Sequence, residues 1–305
     1  MRATPKKSIR FLFALVATAF FCVGCTADGK EATIEPDDTD FHAFDDVKES
    51  DSPKSSESKA DSSGTIDFPE FAKYVQFVQI PEMTLSRGEV SYSVSKFSIA
   101  TIEVTQGLYK AVMGSIPEQN AEGDSVPVAN VSWYDAVLFC NALSKKAGVD
   151  TVYTYKSVGQ ANFLEGLKTD FSASGFRLPT ETEWEIAARG GTTSRYYWGE
   201  ASASKYAYYG QSKGPVKVAS YEPNEYNLYD MAGNVAEWTN DWFGSYSASD
   251  QMNYRGAESG DYKCVRGGGW TNKAADLSPR ERDKKDLLYK SLSLGFRIVY
   301  SDGME

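Results

Sequence analysis

The sequence predicts an α+β fold low in regular secondary structure, with short strands and two main helices. Three observations predict it. Residues Ser91 to Thr105 alternate polar and apolar side chains as a half-buried strand does. Two later segments carry helix start and stop signals. Beyond residue 191 the chain is rich in Gly, Asn, Tyr and Trp with little regular period, which is the composition of long, internally packed loops. The first helix begins at Ser132, whose hydroxyl can cap it together with Asp135, and runs to Gly148. Its apolar positions Ala136, Val137, Cys140 and Leu143 recur at helical spacing. The second opens on the capping-box pattern Thr180-Glu181-Thr182-Glu183 and stops at Gly190-Gly191. No repeat recurs at solenoid spacing.

Two segments precede this domain. Arg2, Lys6, Lys7 and Arg10 stand ahead of an uncharged apolar run from Phe11 to Val23, the layout of a secretory leader. The run is shorter than the roughly 18 residues a spanning helix needs, so a permanent membrane helix is the weaker reading. Val23-Gly24-Cys25 resembles a bacterial lipobox, with Cys22 where Leu is usual three places before the modified Cys. Cleavage behind Gly24 would make Cys25 the lipidated first residue; an ordinary signal peptide with an incidental Cys is the alternative. Thr26, rather than Asp, after Cys25 implies by the same resemblance an outer-membrane lipoprotein of the bacterial cell envelope. Residues 26–66 then carry 12 acidic and 4 basic residues with almost no large apolar ones, too polar to fold alone. The expected organisation is therefore a leader at 1–24, a lipidated Cys25 with a disordered acidic, Ser-rich tether to 66, and one domain over 67–305.

The formal charge of the 305-residue chain is −10, and most of it falls in the tether. The domain keeps an ordinary soluble surface charge, which argues against nucleic acid as a partner. The one histidine, His42, also lies in the tether, so the domain has none. This excludes three-His metal centres, His-based triads and a His general base from it. Four Cys are too few for a disulfide framework at this size.

An ordered series of segments resembles the formylglycine-generating enzyme, or sulfatase-modifying factor, family. It runs through Glu103-Val104-Thr105, Pro127-Val128, Val131-Ser132-Trp133 and Gly175-Phe176-Arg177-Leu178-Pro179-Thr180-Glu181. It continues through Glu183-Trp184-Glu185, Tyr197-Trp198-Gly199 and the stretch from Asn227-Leu228-Tyr229-Asp230 to Glu237-Trp238. Arg266-Gly267-Gly268-Gly269-Trp270 and Leu294-Gly295-Phe296-Arg297 close it, so the resemblance covers roughly residues 70 to 300. It implies a C-type-lectin-like fold. Each block also has a structural reading: the Trp and Tyr supply buried area, and Arg177 and Arg297 read as buried forks bonded to carbonyls or carboxylates.

Enzymes of that family oxidise a Cys of a sulfatase peptide to formylglycine with oxygen and one copper ion held by two thiolates, soft ligands that suit Cu(I). The matching ligand positions here are Asn272 and Leu277, and the small hydroxyl residue before the aromatic is Gly269. Copper is therefore not expected. Cys140 and Cys264 read as buried small hydrophobes, with a disulfide between them left open. A second branch of the superfamily uses three-His iron, which a His-free domain excludes. The family's structural calcium implies a site of the Asp230 and Glu237 carboxylates with the Gly233 and Val235 carbonyls, an all-oxygen set suited to a hard cation. A loop closed by Asn234 and Glu237 hydrogen bonds without an ion is the alternative. A second family calcium site is lost in the short, carboxylate-free loop Ala207 to Ala219.

The expected function is a membrane-tethered, catalytically silent module that binds a peptide or a glycan, or acts as a scaffold. Trp270, Tyr206, Tyr208, Tyr209 and Tyr226 are its candidate groove residues, since exposed rings can stack on sugars. The alternatives are an active formylglycine-type oxidase with an altered site, and a passive structural lipoprotein of the envelope.

Overall fold

The computed structural model describes residues 70–303. The leader, Cys25 and the tether lie outside the described residues. Strands β1 (Phe77–Ile80), β2 (Met83–Arg87), β3 (Val90–Val94) and β4 (Phe97–Ala100) come first, then helices α1 (Gln106–Met113) and α2 (Trp133–Ala147). Four two-residue strands follow: β5 (Tyr153–Thr154), β6 (Ser157–Val158), β7 (Leu164–Glu165) and β8 (Lys168–Thr169). They pair as β5 with β8 and β6 with β7. Strand β9 (Ser174–Arg177) leads into α3 (Glu181–Arg189). Long loops then carry β10 (Ala236–Trp242), β11 (Gln251–Met252), β12 (Tyr262–Arg266), β13 (Asp283–Asp286), β14 (Leu294–Gly295) and β15 (Val299–Asp302).

The two expected helices stand where their caps put them. In α2 the Ser132 hydroxyl accepts from the Asp135 N–H while Asp135 accepts from the Ser132 N–H, and Gly148 ends the helix in the left-handed region. Thr180 and Glu183 repeat the arrangement in α3, which ends at Gly190. Such caps contribute about 1 kcal/mol each.

The stretch from Ser91 to Thr105 is not one strand. The chain leaves β3 at Ser95, which Asn253 clamps from both sides: its Oδ1 accepts from the Ser95 N–H and its Nδ2 donates to the Ser95 hydroxyl. Pairing resumes in β4, and Thr105 then caps the additional short helix α1 through its Oγ1. Local alternation continued across a break that only a residue 158 positions away creates.

One four-stranded sheet has the order β1-β4-β15-β9, and a second has β13-β12-β10-β14; β11, β3 and β2 form a third of three strands. In the second sheet Glu237 on β10 stands opposite Arg266 on β12 and beside Gly295 on the parallel β14. Helices α1 and α2 pack with Trp238, Leu294 and Phe296 into one apolar core. Trp184, Ile99, Leu228 and Leu277 belong to another. The three fully buried tryptophans keep their indole N–H groups satisfied: Trp133 by the Thr239 carbonyl, Trp238 by the Val131 carbonyl and Trp184 by Glu237. Among the described residues no helix is long and apolar enough to cross a membrane.

Candidate functional site

Strand β12 ends in Arg266, and the chain turns back through Gly267 and Gly268, both in the left-handed region at φ 84° and 65°. The turn brings Gly269, Asn272 and Leu277 together. The Asn272 side chain accepts from the Gly269 N–H at 2.9 Å and donates to Asp276 at 3.1 Å, while its own N–H bonds the Gly269 carbonyl. Asn272 is thus a bracket for the turn. Leu277 ends a 3₁₀ turn (Ala274–Leu277) and is wholly buried in the apolar core, pressed against Gly268. A β-carbon on Gly269 would lie 2.6 Å from the Ser293 carbonyl oxygen, so a hydroxyl residue cannot enter there without moving backbone. The two residues offer one amide and one alkyl group, which do not fit copper.

Beside this turn lies a polar cleft of about 310 Å³, bordered by Gly268, Asn272, Asp276, Glu281, Arg282 and Asp283. Behind it sits a buried ionic network. Glu181 accepts from Arg282 at 2.5 and 2.7 Å, and Glu185 accepts from Arg266, Arg189 and Arg87. Burial raises both carboxyls, but the arginines overcome it and hold them below the ordinary glutamate range. Asp241, fully buried, accepts from the Glu181 N–H at the start of α3 and faces the Glu181 charge. Burial and that neighbour push its carboxyl up to about 8. Cys264 lies 3.4 Å from Glu181, Cys140 is buried on α2, and both are unpaired thiols raised by burial. Cys140 packs in the apolar core as a small hydrophobe, whereas Cys264 donates its thiol to Glu181 inside the ionic network; no disulfide joins them.

The loop from Asp230 to Glu237 is held by residues far away in sequence. Glu103 accepts from the Val235 N–H at 3.0 Å and from the Asn234 side chain at 2.8 Å. Asp230 and Asn234 both have positive φ, a conformation that Asp and Asn tolerate better than most residues. Arg297 forks onto Glu237 with contacts of 2.8 to 3.0 Å, and Trp184 donates to the same carboxylate at 2.7 Å. Glu103, Asp230 and Glu237 therefore share one buried guanidinium. Glu103 is raised well above its usual range by burial and by the Asp230 and Glu237 charges; burial lifts Asp230 to about 6.

For a hard cation the fit is partial. Asp230 gives one oxygen to the Ala219 N–H and keeps the other. The Gly233 and Val235 carbonyls accept no hydrogen bond among the described residues. Glu237, in contrast, is already claimed by Arg297. Among the described residues no group of three or more His, Cys, Asp or Glu is arranged to hold a metal. Sequence reading missed Glu103 as the loop's clamp; its only signal is the Glu103-Val104-Thr105 block, 131 residues from Asn234.

The five candidate aromatic groove residues do not form one surface. Trp270 is buried against Ala129 and Val235 and donates to the Leu292 carbonyl, so its ring is a packing group and no stacking platform. Tyr208 packs on that small cluster, whereas Tyr206, Tyr209 and Tyr226 pack on the core around Trp184. All four tyrosines are half-buried. Tyr206 is one face of a parallel stack with Trp198 and Tyr196, at 5.5 and 4.8 Å between successive rings.

Residues 81–302 match the sulfatase-modifying factor enzyme 1-like domain. The chain is 30% identical over 245 residues to the chaperone protein LppX of Paenibacillus barcinonensis, covering 71% of this chain and 84% of that protein. It is 32% identical over 161 residues to the formylglycine-generating enzyme of Mus musculus, covering 47% of this chain and 35% of that enzyme. Among solved structures, Treponema denticola variable protein 1 superposes with a TM-score of 0.68 at 32% identity, over 74% of this chain and 95% of the other.

Proposed function

Because the chain belongs to the sulfatase-modifying factor enzyme 1-like family, with the formylglycine-generating-enzyme variant of the C-type-lectin-like fold, we propose that it is a catalytically silent binding module of the bacterial envelope. One observation carries this reading: the two copper-ligand positions are a hydrogen-bonded bracket, Asn272, and a core side chain, Leu277. What remains is the cleft beside them. Its volume of about 310 Å³ and its mixed-sign rim suit a short polar peptide segment better than a sugar platform, since no aromatic ring lines it. The chaperone name of its relative LppX favours the same class of ligand. Lipidated Cys25 would tether the module to the membrane, with the acidic segment as spacer.

The test has two arms. Purified protein loaded with Cu(I), a Cys-containing sulfatase peptide and oxygen should yield no aldehyde by mass spectrometry. A peptide array should show ligands whose binding falls when Asp283→Lys reverses charge at the cleft rim, while a glycan array stays at background. Aldehyde formation would make the chain an oxidase with an altered site. Retention only on glycans would move the ligand class.

The second part of the proposal is a structural calcium on Asp230, the Gly233 and Val235 carbonyls and one Glu237 oxygen, which on binding would exchange its Arg297 hydrogen bonds for the ion. Its support is the second Asp230 oxygen and the two carbonyls, which make no hydrogen bond among the described residues. Calcium at 100-fold its dissociation constant would add about 2.7 kcal/mol. Millimolar calcium should therefore raise Tm by several degrees and excess chelator reverse it, with Asp230→Ala unresponsive. An unchanged melting curve would leave the Arg297 pair as the loop's only counter-charge.

A further inference from the structure

A second cavity, of about 540 Å³, shares no lining residue with the cleft at Asn272. Its wall includes Arg87 from the end of β2, Arg189 from the end of α3 and Arg280 from the loop before β13, and no acidic residue. Met83, Leu85 and Ile186 give it an apolar side. The guanidiniums are held in place from behind. Arg87 donates to Glu185 at 2.6 Å and lies 3.8 Å over the Tyr246 ring, while its Nε is buried without a partner. Arg189 donates twice to the other Glu185 oxygen, at 3.0 and 2.7 Å. Arg280 donates to the Thr193 carbonyl and makes no ion pair among the described residues.

Glu185 also serves Arg266, and Glu181 serves Arg266 and Arg282. Four guanidiniums thus share two carboxylates, and Arg280 adds a further positive charge; Arg87, Arg189 and Arg280 all line the cavity, whose wall carries no carboxylate. Buried charge is retained at high cost unless compensated. Planar guanidinium forks match carboxylate and phosphate oxygens in pairs. The volume falls in the range of small-molecule sites.

We propose that this cavity binds a small organic anion whose carboxylate or phosphate groups meet Arg87, Arg189 and Arg280 and whose apolar stem lies along Met83, Leu85 and Ile186. The site does not depend on the fate of the copper position or on the peptide cleft.

Isothermal titration of the full-length protein with citrate and, separately, pyrophosphate, at constant ionic strength, tests it. At least one should bind with a dissociation constant below about 1 mM. Citrate alone identifies a carboxylate ligand, pyrophosphate alone a phosphate ligand, and both together the shared oxyanion chemistry. Arg280→Gln removes an exposed side chain with one backbone contact, so the fold should survive, as circular dichroism will check. It should weaken binding about tenfold. Arg255→Gln, an exposed arginine outside the cavity, should leave binding unchanged. Absence of binding by both anions, or equal weakening by the two variants, would overturn the proposal.

Discussion

Arg297→Met is expected to destabilise the domain by about 3–5 kcal/mol, measured by urea denaturation, enough to leave much of it unfolded at 37 °C. The guanidinium is fully buried and is the counter-charge shared by Glu237, Glu103 and Asp230. It also donates to the Ala100 and Tyr229 carbonyls, tying β4 to the loop that precedes Asp230. Removing it leaves three buried carboxyls facing one another and two carbonyls unpaired. Glu237→Gln should cost clearly less, because Arg297 would still face Glu103 and Asp230 and an amide oxygen can accept from Trp184. Equal losses for the two variants would mean that the pair acts alone and that the other carboxyls contribute nothing.

Asp241→Asn is expected to change the slope of stability against pH. Folded Asp241 keeps its proton up to about pH 8, whereas an unfolded aspartate loses it near pH 4. Unfolding therefore releases a proton across this window, and stability falls as pH rises. Lys263, lowered to about 7 by burial, adds a change of opposite sign around and above that pH, and the raised Asp230 and Glu103 titrate alike in both proteins, so the difference between wild type and variant over pH 5 to 7 reports Asp241. There the wild type should lose about 1.4 kcal/mol per pH unit relative to the variant. Asn can still accept from the Glu181 N–H, and the second Asp241 oxygen has no partner to forfeit. Parallel stability profiles for the two proteins would show that Asp241 is ionised in the fold.

The parts of this structure that were legible in the sequence are those whose causes are local. Both capping boxes, the glycines that end α2 and α3, and the buried stripe of α2 follow from residues within a few positions of each other. The short α1 was not legible, because its cap Thr105 also fits the end of an alternating strand. Sheet order was not legible either, since β4 pairs with β1 nearby and with β15 some two hundred residues on. At the candidate site, the resemblance to the family located Asn272 and Leu277 from their places after the Gly-Gly turn. Their present roles, a bracket and a core side chain, depend on Asp276, Gly268 and the core around Trp184. The Glu103 clamp and the Arg297 fork join segments more than fifty residues apart, and no periodicity carries that information.

The sheet order β1-β4-β15-β9 has a kinetic consequence. Its inner strand β15, which joins β4 to β9, follows all the other described strands in the chain. Until Val299–Asp302 emerges, β4 and β9 expose unpaired edges and the core beneath them stays open. The sheet therefore cannot close before β15 has emerged, and it closes in one late step of high contact order.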